Sequence, residues 1–216
     1  MSCRFFHFIM PLCLGIIHLA CGNYNLLEKL EKPGGSDDML GANRIAQCGM
    51  NCRMFVTQGL YSGNLSGLTG ADAKCQNDAA NPAGAGAGNW KAMVSGSTRT
   101  ACTSNDCSSN GSAENLDWVL KPNTPYKRPD GTQIAATNAS AIFAFPIANS
   151  IEAVGNNTWT GFYATWTRVD GGDNCNDWTN DGGNAIYALS GSATATAIAN
   201  FHIACSNTYR IYCVEQ

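Results

Sequence analysis

The placement of cysteine constrains this chain more than any other feature. There are 11 cysteines in 216 residues. Cys3 and Cys13 fall in an apolar leader and Cys21 at its end. The rest form an even set: Cys48, Cys52, Cys75, Cys102, Cys107, Cys175, Cys205 and Cys213. In an oxidising compartment such a set reads as four disulfides, although eight cysteines permit about a hundred connectivities. A zinc site is not expected. The close pairs, 48/52 and 102/107, lack metal-ligand C-x-x-C spacing and have no histidine beside them.

The leader sets the compartment. Met1 to Arg4 carries one positive charge, and Phe5 to Ala20 is apolar apart from two histidines and is interrupted by Pro11. Its 16 residues fall short of the roughly 20 that span a bilayer, so 1–20 reads as a signal peptide. The stretch His18-Leu19-Ala20-Cys21 resembles the bacterial lipoprotein processing site, with His18 where leucine is usual. That resemblance implies that Cys21 is the lipidation site and that a lipid anchor holds the protein at a bacterial membrane. The alternative is ordinary cleavage after Ala20, releasing a soluble protein. Residues 21–53 then form the lipidated N-terminus and a spacer, and 54–216 the globular domain.

Charge and histidine content exclude several functions. Charged residues make up 13% of the chain, against roughly 25% in an average soluble protein. Without Arg4 there are 12 basic and 16 acidic side chains, with no basic cluster to neutralise phosphates, so no nucleic-acid partner is expected. Once His7 and His18 leave with the leader, His202 is the last imidazole, and triads and three-histidine metal sites lack their parts. No catalytic residue, metal or cofactor is assigned, and the chain reads as a binding protein rather than an enzyme.

Patterning gives an α+β class with a high loop fraction. Met54 to Val56 reads as a short strand, and a helix is expected over Ala71 to Ala80, capped by Thr69 or Asp72. Asn89 to Val94 suits helix or strand equally. Residues 95–140 read mostly as loop, with a turn at Arg128-Pro129-Asp130-Gly131. Strands are expected over 141–146, 158–169, 185–190, 201–205 and 209–214.

The order of motifs is specific. Tyr61-Ser62-Gly63-Asn64 leads through a Gly-rich turn into a cysteine-bearing helix at Cys75. Trp159-Thr160-Gly161 and Cys175-Asn176-Asp177-Trp178 follow, and the chain closes on Tyr209-Arg210-Ile211-Tyr212-Cys213. This series resembles the endostatin domain, a C-type lectin-like fold. With the lipid signal in front, the chain is identified as similar to the leptospiral endostatin-like outer-membrane lipoproteins. The resemblance implies a C-type lectin-like (endostatin-like) domain stapled by disulfides, with nested pairs Cys75 to Cys213 and Cys175 to Cys205. It also implies an adhesin that binds laminin, fibronectin, plasminogen or complement factor H, for host attachment and complement evasion.

For charge-dependent contact with such partners, Lys121, Lys127 and Arg128 stand together in one Pro-rich segment, and the loops between Thr158 and Gly183 are the alternative face. A rival reading is a calcium-dependent carbohydrate-binding lectin, because Asp170, Asp173, Asp177 and Asp181 crowd one loop. The sugar-binding Glu-Pro-Asn and Gln-Pro-Asp signatures are missing, and Asp and Asn commonly build turns by bonding their own backbone. A third reading is a structural envelope protein without a host ligand. The five tryptophans are expected to pack in the interior.

Overall fold

A run of four consecutive buried residues, Ile211 to Val214, marks the strand about which the molecule is built. The computed structural model describes Cys48, residues 51–169 and residues 173–216. The signal peptide, Cys21 and nearly all of the spacer lie outside the described residues. The strands are β1 (Cys52–Val56), β2 (Trp90–Ala92), β3 (Pro125–Lys127), β4 (Gln133–Ala136), β5 (Asn157–Trp159), β6 (Asn184–Leu189), β7 (His202–Ala204) and β8 (Arg210–Glu215), with one long helix, α1 (Gly67–Asn77). They form one sheet in the order β4-β3-β1-β8-β5-β6-β7. One edge of β8 takes β1 antiparallel, and the other takes β5 at Arg210 and Ile211, then β2 from Cys213 to Glu215.

Because successive strand side chains point to opposite faces, β1 and β8 divide their residues between two cores. Cys52, Met54, Val56, Tyr212 and Val214 enter one, shared with Met93, Tyr126, Phe143, Phe162 and Trp166. Phe55, Ile211 and Cys213 enter the other, against Ala71 and Cys75 of α1 and against Trp90, Trp159 and Trp178. Each aliphatic or aromatic side chain so buried contributes on the order of 2 kcal/mol. With both faces covered, β8 shows no polar alternation.

Four disulfides cross this frame: Cys48–Cys52, Cys75–Cys213, Cys102–Cys107 and Cys175–Cys205. The second and fourth are the pairs the resemblance implies. Cys75–Cys213 bolts α1 onto the central strand. Gly63 is required because a Cβ there would fall on the Cys175 sulfur, while its N–H donates to the Cys205 carbonyl at 2.7 Å. Gly161 has φ of 68°, and a Cβ would lie 2.9 Å from the Trp178 ring. Two of the recognised motifs are therefore places where backbone passes against packed side chains.

Several elements differ from expectation for identifiable reasons. The helix starts at Gly67 rather than Ala71 and stops at Asn77. Ser66 enters in the left-handed region without a side-chain cap, so neither Thr69 nor Asp72 caps it. At the far end, Asp78 turns its carboxylate onto the N–H groups of Gln58, Gly59 and Ala80. The segment expected as loop contains β3 and β4, joined by the Arg128 to Gly131 turn. Only Tyr126 and Ile134 of that hairpin are fully buried, too few for a visible alternation. Residues 141–146 are not a strand: Ala141 has φ of 61°, and Ile142 and Phe143 reach the core from irregular backbone. The strand at 158 ends at Trp159, because Gly161 turns the chain. Four tryptophans, at 90, 159, 166 and 178, are buried.

Candidate functional site

Phe162 and Trp166 anchor segment 162–168 in the core, whereas segment 97–103 carries short polar side chains and no large apolar group, so other bonds must fix its shape. Arg99 provides the first. It is 2% exposed, and its guanidinium donates to both carboxylate oxygens of Asp72 at 2.7 and 2.8 Å, to Asp117 at 2.8 and 3.0 Å, and to the Ala92 carbonyl. Burial pulls the Arg99 pKa down, but the two carboxylates more than restore it and hold it above the ordinary value. Lys91 pairs with Asp117 as well. Arg99 thus ties α1, β2 and the loop at 117 to one cation.

Glu114 provides the second fixture. Its carboxylate accepts from the N–H groups of Thr103, Ser104, Ser109 and Asn110 and from the hydroxyls of Thr103 and Ser104, at 2.6 to 3.1 Å. Burial would raise its pKa, but these donors outweigh burial and take it from the ordinary 4.5 down to about 2. A carboxylate depressed on folding stabilises the fold fully above its unfolded pKa, and that stabilisation is lost as pH falls through the folded value. The window here is about pH 4.5 to 2. Glu114→Gln is expected to melt below wild type at neutral pH, with the gap closing as the pH approaches 2. Melting temperatures of both proteins across that range check it, and a gap independent of pH would count against it.

With these fixtures in place, backbone bridges join Thr100 to Leu116, Cys102 to Thr167 and Phe162 to Arg168. Between them lies a cleft of about 480 Å³ lined by Ser97, Thr100, Cys102, Thr103, Leu116, Tyr163, Thr167 and Arg168. Tyr163 is 41% and Leu116 52% exposed. The Tyr163 backbone is held at both ends, its N–H donating to the Thr167 carbonyl and its carbonyl accepting from Trp166. Buried Trp166 below it donates its indole N–H to the Phe143 carbonyl at 3.1 Å. The cleft is therefore rigid, polar-walled and rimmed by two exposed apolar side chains.

Lys121, Lys127 and Arg128, singled out from sequence for charge-dependent contact, do not line this cleft. Lys127 lies in β3 opposite Arg53 of β1. The Lys121 ammonium is 3.3 Å from the Cys48 sulfur. Arg128 donates to the carbonyl and hydroxyl of Ser150 at 2.6 to 2.9 Å, so it closes one loop on another. Of the acidic loop, Asp177 accepts from the Ser97 N–H and the Asn174 amide, and Asp181 from the Asn64 N–H. Asp173 lies 3.3 Å from the imidazole of His202, and Asp170 is outside the described residues. No cluster of metal-ligating side chains occurs among the described residues. The loops between Thr158 and Gly183, the alternative face read from sequence, supply Tyr163, Thr167 and Arg168 to the cleft, whereas Arg99, Glu114 and the lining residues from Ser97 to Leu116 were not singled out for contact. Their signals were slight: one arginine among hydroxyl-rich neighbours, and a lone Leu116 in a polar loop.

Fold and cleft together define a disulfide-stapled α+β domain with a polar-walled cleft in its loop region. The chain belongs to the family described as a protein of unknown function (DUF1554), whose model matches residues 58–196, more than half of the chain. The match takes in the cleft and α1 but omits β1, β7 and β8, hence Cys205 and Cys213. A comparison with curated proteins finds no match.

Proposed function

We propose that this protein is a surface adhesin of a bacterial outer membrane, lipid-anchored at Cys21. Its domain is C-type lectin-like of the endostatin kind, and it holds host matrix or plasma proteins: laminin, fibronectin, plasminogen or factor H. The observation that carries this reading is the rigid cleft, with Leu116 and Tyr163 exposed on its rim and no mobile element needed to shape it. The nested disulfides and the β1–β8 pairing, which brings the two ends of the domain together, support the lectin-like assignment. Binding rather than catalysis is the role proposed. Lys121 and Lys127 supply a separate, charge-dependent contact, and Arg128 is set aside because Ser150 occupies it. The test combines surface proteolysis of intact cells with solid-phase binding of wild type and a Leu116→Ser, Tyr163→Ala variant to the four host proteins. Digestion on intact cells and weakened binding by the variant are expected. A protected protein, or binding to none of the four, would sink the reading.

A further inference from the structure

The chemistry of the cleft walls narrows what it can hold. Five of its lining side chains, Ser97, Thr100, Thr103, Tyr163 and Thr167, bear hydroxyls, that of Thr103 being donated to Glu114, and none of the eight is a carboxylate. A protein hot spot is built from desolvated apolar anchors in well-packed pockets. This cleft offers instead a hydroxylated wall and one exposed aromatic ring. Its volume lies within the ~300–1,000 Å³ of small-ligand sites. A sugar presents the complementary surface, with hydroxyls at the ring edge and a C–H face that lies on an aromatic side chain. Thr100 lines the cleft while its backbone makes the bridge to Leu116.

Charge decides between neutral and acidic sugars. The single cation on the wall, Arg168, helps to keep Asp177 ionised after the donors from Ser97 and Asn174 have offset that carboxylate's burial. As one charge on the wall of a domain with more acidic than basic side chains, Arg168 offers a polyanionic chain no basic cluster to bind. We infer that the cleft binds a neutral glycan chain, stacked on Tyr163 and hydrogen-bonded by Thr100 and its hydroxyl-bearing neighbours, without a bridging cation. The inference rests on the adhesin reading of the same site, and names what is gripped there as the glycan of the partner.

The full chain is to be tested, with chelator present, against neutral galactose-, mannose- and N-acetylhexosamine-terminated oligosaccharides, with heparin as the anionic arm. Binding to at least one neutral oligosaccharide is expected. Tyr163→Ala should weaken it about tenfold, the worth of one ring contact, and Tyr163→Phe should preserve it. Thr100→Val, which keeps volume and backbone bridge, should weaken it as well. Binding to heparin alone, loss of binding with chelator, or neutral binding indifferent to both weakening variants overturns the inference. A parallel assay on the four host proteins, before and after enzymatic removal of their glycans, separates the two readings. Host binding that survives deglycosylation leaves the adhesin reading standing and overturns this one. Oligosaccharide binding without host-protein binding does the reverse.

Discussion

Removing the Cys75–Cys213 bridge by a double alanine substitution is expected to lower the unfolding free energy by about 4 to 5 kcal/mol. The two residues are 138 apart in sequence, so the bond deletes a large share of the unfolded chain's conformations. Both are fully buried, and alanine leaves the contact of α1 with β8 otherwise intact. Cys102–Cys107 supplies the internal comparison, because only five residues separate its partners. Its removal should cost about 2 kcal/mol on the same chain-entropy argument. Denaturant unfolding of both variants decides the matter through midpoint and slope. Equal losses would mean that local packing, not loop closure, sets the contribution. Against the ~5–15 kcal/mol typical of a domain, the larger loss would leave the outer variant marginal at body temperature.

Arg99→Met is expected to cost about 3 kcal/mol, close to the effect of breaking a buried ion pair from one side. Methionine matches much of the volume but leaves Asp72, Asp117 and the Ala92 carbonyl without their donor. The side chains of Asp72 and Asp117 are 23% and 42% exposed, so water partly replaces the lost partner, and the effect falls at the low end of the buried range. Asp117→Asn should cost less on its own, because Arg99 keeps Asp72. Combining the two substitutions should cost less than the sum, since each removes part of the same interaction. Urea unfolding of the two single variants and the double variant gives the coupling directly, and strict additivity would deny the network. Because Arg99 joins α1, β2 and the loop at 117, the same variant should also loosen the cleft wall and weaken any ligand bound there.

Much of the architecture was legible in the sequence because it rests on local chemistry. The cysteine set, the terminal run at 209–214 and the strands near 185 and 202 could be read from composition and alternation. So could the cysteine-bearing helix, though its ends moved by three or four residues once Asp78 found backbone donors 20 residues upstream. The β3–β4 hairpin was not legible: each strand buries one residue fully, and the order of the hairpin comes from β3 pairing with distant β1 and β4 pairing with β3.

The cleft was less legible still. Sequence pointed to Lys121, Lys127 and Arg128 because charge is scarce, yet charge in sequence does not say what already neutralises it. Arg128 proved to be held by Ser150, and Arg99, which reads as an ordinary surface arginine, is among the most buried side chains described. The sequence by itself determined that the domain is stapled, acidic, poor in histidine and mixed in class, since these follow from counts and short-range pattern. Only the tertiary structure decided which hydroxyls share a wall with Tyr163 and Arg168. Thr100, Leu116 and Thr167 lie far apart along the chain and meet through backbone bridges, and the energies that bring them together, loop closure and burial of Arg99, belong to no single segment.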